Sequence, residues 1–340
     1  MYTKNLKLLR KRLIIKWLLI FLFTVLWFLF FSCKNIGRWN EVLPQSQNDS
    51  LLQETNEAEI CFFIISDFGR NGYYYQRDVA NAMGEISDIY QSPDFIITCG
   101  DNFQVNGVAS TTDPLWNTSF ENVYSHPSLL VDWYPVLGNH DYKGNTQAEI
   151  EYSKISRRWR MPDRYYSIIK YVNDSVKARF IFIDTPPLIE KYQKQTLKYP
   201  DASKQDTVEQ IKWLKNVLKD AKEDWIFAFG HHPVYSASKK HGNTPELIDK
   251  LKPLFEKYGV DIYFCGHDHD FQHLKPLNSN VEYIVTGTGA TVRESNTNEN
   301  SVFSLSEPGF TLLSITDKTL SLFFINKESK ARYYFEKKID

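Results

Sequence analysis

The chain has 340 residues, of which 42% are hydrophobic and 15% aromatic, and this composition is sufficient to bury a large core. Lys and Arg number 40 against 41 Asp and Glu, so the formal net charge is -1 at pH 7. No stripe of basic residues interleaved with aromatic side chains stands out beyond the N-terminus, so nucleic acid is not expected as a partner.

Residues 1–33 predict a signal peptide, a lipoprotein signal or a membrane anchor. A basic stretch precedes WLLIFLFTVLWFLFF, Trp17 to Phe31, an uncharged run shorter than the roughly 20 residues that span a bilayer. Leu13–Ile15 lengthen that run if Lys16 extends to the membrane interface. The run ends in FFSC, which resembles a bacterial lipoprotein signal with Cys33 as the lipidated residue. The alternative is an uncleaved helix with an incidental Cys33, and both predict an exported protein anchored to the membrane of the cell envelope.

Residues 34–58 are polar and lack a clean period, so they predict a flexible tether, and residues 59–340 follow as one domain. Apolar runs rich in β-branched and aromatic residues predict buried strands at 60–66, 94–99, 133–137, 179–183, 225–229, 261–265 and 282–286. Helical patterns between them cover 73–90, 206–221 and 244–259. Runs at 310–315, 320–325 and 331–337 predict consecutive antiparallel strands. Together these elements predict a layered α/β domain.

Two of the helical patterns have capping and breaking residues. Asp206 is the expected N-cap of the helix at 206–221, whose apolar stripe is predicted to contain Val208, Ile211, Leu214 and Leu218. In the pattern at 244–259, Thr244 precedes Pro245 at the start and Gly259 marks the end. Pro253 lies inside that pattern and is expected to kink the helix.

Polar residues that bind metals follow five of the predicted strands directly: Asp67, Asp101, Asn139 with His140, His231, and His267 with His269. In open α/β sheets, ligands bind at the carboxyl ends of the strands, so these side chains should converge at one edge. Carboxylates and imidazoles together suit Zn, Fe and similar ions. Each motif alone is most simply a turn or a cap, but all five in this order predict a site for a pair of metal ions. The other histidines, His126, His232 and His273, are expected to make ordinary hydrogen bonds.

The order DxG, GD, GNHD, GHxxV and GHDH resembles the calcineurin-like metallophosphoesterases. Stretches at 100–108, 230–236 and 258–274 make the chain similar to the small, mammalian-type purple acid phosphatases, the tartrate-resistant group. The resemblance implies a four-layer α/β sandwich in which helices flank two mixed β-sheets. It also implies an enzyme, a metal-dependent phosphoric ester hydrolase that acts on a small phosphate-ester substrate.

The resemblance further implies roles for individual residues. One metal ion would bind Asp67, Asp101 and His269, and a second would bind Asp101, Asn139, His231 and His267, so that Asp101 bridges them. A metal-bound hydroxide would then attack the phosphate monoester. His140 and His241 resemble the histidines of the family that bind phosphate oxygens or protonate the leaving alcohol. For His241, an ordinary surface histidine is the alternative.

Gln104 stands where purple acid phosphatases have the tyrosine that binds Fe(III) and gives the colour. Glutamine offers only a neutral carbonyl oxygen, so a pair of divalent ions such as Zn, Mn or Fe(II) is expected instead of Fe(III)-tyrosinate. Gln104 could bind the metal weakly, bind a water, or point away. The segment 186–203 is predicted as an exposed connector, with a lid or a proteolysis site as the alternative.

Two other functions are open at this stage. The first is a phosphodiesterase or nucleotidase of the same superfamily, which would share the metal ions and differ in the loops around them. The second is a non-catalytic, lipid-anchored surface binding protein that keeps the fold. The oligomeric state is not indicated by any pattern in the sequence.

Overall fold

The computed structural model describes Leu52 and residues 58–339, and in it the strands form two mixed β-sheets accompanied by helices. This architecture confirms the α/β sandwich predicted from the sequence. The predicted signal or anchor at 1–33, including Cys33, and nearly all of the tether at 34–58 lie outside the described residues. Within the part of the chain that is described, no helix is long and apolar enough to cross a membrane.

The first sheet has six strands in the order β13-β12-β11-β1-β2-β3. Strands β1, β2 and β3 pair in parallel, whereas β11 pairs antiparallel with β1 and continues as an antiparallel meander through β12 and β13. The strands span Ile60–Ile65 (β1), Phe95–Thr98 (β2), Asp132–Pro135 (β3), Gly309–Ile315 (β11), Thr319–Asn326 (β12) and Ala331–Lys338 (β13). The C-terminal meander predicted from the sequence is therefore confirmed.

The second sheet has seven strands in the order β10-β8-β9-β7-β6-β5-β4. Strands β5, β6, β7 and β9 are parallel, and β4, β8 and β10 pair antiparallel with their neighbours. The strands span Tyr166–Tyr171 (β4), Lys177–Phe182 (β5), Trp225–Phe229 (β6), Ile262–Cys265 (β7), Phe271–Leu274 (β8), Glu282–Thr286 (β9) and Ser301–Leu305 (β10). The parallel strands of both sheets end in the loops that contain the predicted site residues.

Aromatic side chains of the two sheets pack against each other in the core. Phe62 of β1 stacks on Phe95 of β2 at 4.9 Å between ring centroids. Both rings meet the edge of Phe180 of β5, at 5.4 Å and 5.3 Å. Edge-to-face pairs of this kind add about 0.5–1.5 kcal/mol each beyond the area they bury. The packing of Phe62 and Phe95 on Phe180 therefore holds the two sheets together.

The α-helices span Gln76–Ile89, Thr146–Tyr152, Glu190–Lys194, Thr207–Asp220, Pro245–Lys250 and Lys252–Tyr258. The helix Thr207–Asp220 begins at the predicted cap, because the Asp206 side chain accepts a hydrogen bond from the backbone N–H of Glu209 at 2.9 Å. The prediction that Val208 belongs to the buried stripe was wrong, since it is 78% exposed. Its place is taken by Gln210, whose amide exchanges hydrogen bonds with the backbone of Asp184 at 2.9 Å and 3.1 Å. A polar residue is buried there because both halves of its amide are paired.

The predicted helix at 244–259 is divided into two short helices that meet at Leu251. Pro253 lies in the first turn of the second helix. Backbone N–H groups in a first turn have no acceptor within the helix, so the missing N–H of proline costs no hydrogen bond there. Gly259 ends the second helix with a φ of 71°, the left-handed conformation typical of a glycine cap. The Thr244 side chain makes no capping hydrogen bond, so Pro245 alone marks the start.

Candidate active site

Loops from both sheets bring the predicted site residues together. Asp67 follows β1, Asp101 follows β2 and Asn139 follows β3, while His231 follows β6 and His267 and His269 follow β7. His269 Nε2 lies 3.2 Å from Asp67 Oδ1, and His231 Nε2 lies 3.4 Å from Asp101 Oδ1 and 3.3 Å from Asn139 Oδ1. The His231 and His267 rings lie 5.2 Å apart between centroids. All six residues therefore belong to one cluster.

Three of these residues have a backbone conformation that side chains other than glycine rarely adopt. The φ angles are 57° at Asp67, 49° at Asp101 and 68° at His267. Such left-handed residues cost about 1–3 kcal/mol each and occur mostly at functional sites. The sharp turns they make direct the carboxylates and the imidazole toward a common centre.

Two glycines allow the loops to approach each other closely. A Cβ atom at Gly138 would lie 2.2 Å from the backbone nitrogen and from Oδ1 of Asp101, and one at Gly266 would lie 1.9 Å from Ser66 Oγ and 2.4 Å from Asp67 Oδ2. No side chain fits at either distance. These two positions therefore require glycine so that the candidate metal-binding carboxylates can lie against neighbouring backbone.

The imidazoles are oriented by hydrogen bonds at their Nδ1 atoms. His231 Nδ1 contacts the Cys99 carbonyl at 2.8 Å, and His269 Nδ1 contacts Thr291 Oγ1 at 2.6 Å. Because a carbonyl only accepts, His231 donates from Nδ1–H, and its Nε2 faces the carboxylates. This arrangement is typical of histidines that bind metals through Nε2.

The electrostatic field of the cluster favours charged carboxylates. Burial alone would raise the pKa of Asp67, but the hydrogen bond and charge of His269 and the charge of His231 hold it well below its ordinary value. Burial lowers the pKa of His267 far below its ordinary value, and the neighbouring His232 and His231 add to the shift. Anionic carboxylates beside a neutral imidazole are the protonation states that bind metal ions.

Gln104 faces the same centre. Its side chain is 4% exposed, and its Nε2 lies 3.5 Å from Asp67 Oδ1 and 3.4 Å from Asp101 Oδ2. Its Oε1 is buried without a hydrogen-bond partner among the described residues. The two ends of an amide are interchangeable by a half-turn of the side chain, which would place the carbonyl oxygen between the two carboxylates. In that orientation the oxygen would add a neutral donor beside the two carboxylates, which suits a metal centre.

His140 lies at the edge of the cluster and is 25% exposed at its side chain. Its backbone N–H donates to Asp101 Oδ1 at 2.7 Å, and its Nε2 lies 3.8 Å from Asp101 Oδ2. Its Nδ1 contacts the Val105 carbonyl at 2.6 Å, so the ring is held with Nε2 toward the centre. Burial lowers the pKa of His140, and the charge of Asp101 opposes that shift.

His241 is brought against the cluster by its loop. Its ring stacks on His267 with 4.2 Å between centroids, and its Nδ1 lies 2.6 Å from Asp268 Oδ1. Asp268 also accepts a hydrogen bond from Ser236 Oγ at 2.5 Å, which holds the carboxylate in place. The side chain of His241 stays 24% exposed, so this histidine lies at the surface with one face of its ring against a candidate metal ligand.

Asp141 was missed as a site residue by the sequence interpretation, although it is the last letter of the GNHD motif. Its buried carboxylate accepts hydrogen bonds from the backbone N–H groups of Gly138 at 2.8 Å, Phe103 at 3.0 Å and Asn102 at 3.1 Å. Burial raises the pKa of Asp141 to about 7, and the nearby charge of Asp101 contributes to the rise. Asp141 ties the loop that contains Asp101 to the loop that contains Asn139. Asp268, in the GHDH motif, was missed in the same way.

The interpretation of 186–203 as an exposed connector holds only in part, because residues 194–198 are exposed but several other side chains of the segment are buried. Tyr192 and Tyr199 are each 2% exposed and pack edge to face at 4.8 Å between centroids. The Tyr192 hydroxyl contacts His232 Nε2 at 2.8 Å, and Thr185 Oγ1 contacts His232 Nδ1 at 3.0 Å. The segment therefore packs beside the cluster through its aromatic residues. Its many polar residues led to the prediction that it is exposed.

The three histidines outside the motifs make ordinary hydrogen bonds, as predicted. Both ring nitrogens of His232 are occupied, and His126 and His273 contact Ser128 and Glu282. Ligand atoms of His231, His232 and His267 lie within 4.8 Å of one another, as do those of Asp67, Asp101 and His231. Both nitrogens of His232 face hydroxyl groups of residues that are not candidate ligands, Thr185 and Tyr192, so we assign only the other residues as candidate metal ligands.

Comparisons with known proteins agree with this geometry. Residues 62–271 match the family model of the calcineurin-like phosphoesterases. The chain is 35% identical to purple acid phosphatase 4 of Arabidopsis thaliana over 278 residues, which cover 79% of this chain and 80% of that protein. It is 34% identical to tartrate-resistant acid phosphatase type 5 of Oryctolagus cuniculus over 291 residues, covering 80% and 89% of the two chains.

A solved structure similar to this chain is GAP50, the anchor in the inner membrane complex of Plasmodium. The TM-score is 0.72 at 25% identity, and the match covers 83% of this chain and 89% of the other.

The chain belongs to the calcineurin-like phosphoesterases and, within them, to the purple acid phosphatases. It is thus a metal-dependent phosphoric ester hydrolase of a family that uses a binuclear metal centre.

Proposed function

We propose that this protein hydrolyses phosphate monoesters at a binuclear metal centre. The candidate ligands are Asp67, Asp101, Asn139, His231, His267 and His269, with Asp101 shared between the two ions. The observation that supports this most directly is the convergence of imidazole Nε2 atoms on Asp67 and Asp101 at 3.2 Å and 3.4 Å.

The donor set suits divalent ions. Two carboxylates, an amide oxygen and three imidazoles are ligands that Zn, Mn and Fe(II) accept. When bound, the two ions would supply a nucleophile by lowering the pKa of a water, and positive charge opposite the phosphoryl oxygens. The buried Oε1 of Gln104, turned toward Asp67 and Asp101, would add a neutral oxygen where the coloured relatives have an anionic tyrosinate. That difference favours a divalent pair over Fe(III).

The remaining residues position the substrate and move a proton. His140 is fixed by the Val105 carbonyl with Nε2 at the edge of the site, where the protonated ring would donate to a phosphate oxygen. Asp268 binds Nδ1 of His241 and leaves Nε2 free to deliver a proton to the leaving alcohol. Such proton transfer contributes about 10²–10⁴-fold to the rate. The buried Asp141 holds the two loops that present Asp101 and Asn139.

A specific observation favours one competing function. The similarity to GAP50, which is described as an anchor, supports a binding protein that keeps the fold. Diester or nucleotide hydrolysis is the other alternative, and the ligand cluster serves it equally well. The test compares turnover of 4-nitrophenyl phosphate with that of bis(4-nitrophenyl) phosphate, using Asp101→Asn as the inactive reference. Monoester turnover that vanishes in Asp101→Asn supports the proposal. Faster diester turnover indicates the second alternative, and no turnover of either ester indicates the anchor.

We also propose that the protein is exported and anchored in the cell envelope through residues 1–33, with lipid attached to Cys33. The basic and apolar pattern of these residues and the FFSC ending support this proposal. Metabolic labelling with a radioactive fatty acid tests it. Label in the wild type and none in Cys33→Ala is the expected result, and membrane-bound but unlabelled wild type would indicate an uncleaved helix.

A further inference from the structure

Lys143 is a cation beside the candidate catalytic His140 that the proposed mechanism does not use. Its Nζ lies 2.9 Å from His140 Nδ1 and 3.1 Å from the Val105 carbonyl. The Val105 carbonyl accepts hydrogen bonds from His140 Nδ1 and from Lys143 Nζ. The Lys143 ammonium has three N–H donors, so it can also donate to another acceptor. At the opposite edge of the same ring, His140 Nε2 lies 3.8 Å from Asp101 Oδ2.

Arg70 belongs to a loop that is hydrogen-bonded to the Gln104–Val105 loop. The carbonyl of Gly69, the residue before Arg70, accepts a hydrogen bond from the backbone N–H of Gln104 at 2.8 Å. Gln104 directly precedes Val105, whose carbonyl contacts Lys143. The Arg70 guanidinium lies over the Tyr74 ring at 5.5 Å. Its Nε is buried without a hydrogen-bond partner in the described part of the chain. A buried guanidinium nitrogen without an acceptor is costly, so an acceptor from a ligand would relieve it.

Lys198 belongs to the segment beside the cluster, and its ammonium lies 5.3 Å from the centroid of the Tyr199 ring. A hydrogen bond of 3.1 Å from Thr146 Oγ1 to Asp201 Oδ2 fastens this segment next to the loop that contains Lys143. Burial lowers the pKa of Lys143, Asp101 opposes the shift, and the charges of Lys198 and Arg70 add to it. The Tyr199 ring packs in turn on Tyr192, whose hydroxyl contacts His232, so Lys198 is held in the part of the segment next to the cluster.

The carboxylates close to these cations already have other partners. Asp201 pairs with Lys204 at 2.9 Å, and Asp101 belongs to the candidate metal cluster. Across residues 58–339, no ion pair joins Arg70, Lys143 or Lys198 to a carboxylate. Three like charges gathered at the mouth of a site without a counter-ion repel each other, and an anionic ligand would neutralise them.

We propose that Arg70, Lys143 and Lys198 form a second anion subsite beside the metal centre, so that the preferred substrate is a small molecule with a second phosphoryl group. This inference rests on the proposed function, because the first phosphoryl group occupies the metal centre. The ester that reacts lies over Asp67 and Asp101, and the second phosphoryl group lies toward Lys143. The reaction is unchanged: water adds to phosphorus, the ester P–O bond breaks, and the alcohol leaves with a proton.

Binding of two non-hydrolysable probes tests the subsite. Propylphosphonate and propane-1,3-diphosphonate are titrated calorimetrically into the full-length protein loaded with a divalent metal. The diphosphonate should bind more tightly, and Lys143→Met should reduce the ratio of the two affinities about tenfold, the effect of losing one charged hydrogen bond. Arg70→Met should act in the same direction. The matched control Lys212→Met, on an exposed helix, should keep the wild-type ratio.

Equal affinity of the wild type for both probes would overturn the subsite. An equal weakening of both probes in Lys143→Met and Arg70→Met, with unchanged thermal unfolding, would overturn it as well. Because neither probe reacts, the affinity ratio is measured even if the protein hydrolyses no ester. The absence of turnover with every ester would contradict the proposed phosphatase activity separately, so the two failures are distinguishable.

Discussion

Replacing Gln104 by Leu tests whether its side chain belongs to the metal centre. The Gln104 amide lies 3.5 Å from Asp67 and 3.4 Å from Asp101, and its buried oxygen has no partner in the described residues. Leucine has a similar size and keeps the packing, but it removes the amide that lies beside this pair of carboxylates. We expect metal affinity to fall about 10–100-fold, the range for losing a polar group that supports a metal ligand.

The assay is competition with a chelator of known affinity, followed by elemental analysis of the protein. Gln210→Leu is the matched control, because Gln210 is 1% exposed and makes its hydrogen bonds with the backbone of Asp184 instead. The control should lose stability and keep its metal affinity. If folded Gln104→Leu retains metal as tightly as the wild type, then the side chain does not contribute to the centre and this reasoning is refuted.

Three further predictions concern colour, proton transfer and stability. Gln104→Tyr should produce a visible absorption band with Fe(III), because a phenolate then faces Asp67 and Asp101, and a colourless iron-loaded variant would contradict this placement. His241→Ala should slow hydrolysis of alkyl phosphates about 10²–10⁴-fold and of 4-nitrophenyl phosphate far less, since only the poor leaving group needs a proton; equal losses in a kcat comparison would argue against proton donation. Burial raises the pKa of Asp184 to about 7, with Arg164 opposing the shift. The folded state therefore binds the proton of Asp184 more tightly than the unfolded chain, in which an aspartate has a pKa of about 3.9. As a result, the free energy of unfolding falls by about 4 kcal/mol as the pH rises from about 4 to about 7. Urea denaturation at a series of pH values should show a smaller decrease in the free energy of unfolding for Asp184→Asn than for the wild type. Parallel dependences on pH for the two proteins would contradict this prediction.

The buried strands were predictable because their residues are apolar on both faces. The runs at 225–229 and 282–286 coincide with β6 and β9. Strand β4 was not predicted, because it lies at the edge of its sheet and every residue after Tyr166 is only partly buried or exposed. Edge strands mix polar and apolar residues, so periodicity alone does not reveal them.

The residues at the strand ends were likewise predictable, since the order of the parallel strands determines where their carboxyl ends meet. The contacts around them were not. Lys143 and Asp268 lie close to the cluster because the loops after β3 and β7 fold back on themselves, and no periodic pattern describes such loops. The role of Asp141 was not predictable for the same reason, because its carboxylate acts through three backbone hydrogen bonds that form only in the folded loops.

The metal content of the purified protein, recorded together with its visible spectrum and its activity, tests the central claim most directly. The account predicts two divalent ions per chain, no tyrosinate absorption, and turnover of an aryl phosphate that is lost on chelation and restored by Zn, Mn or Fe(II). A purple sample would show that another residue supplies a tyrosinate and would contradict the ligand assignment at Gln104. A protein that binds no metal and hydrolyses no ester, even after divalent ions are added, would contradict the account as a whole.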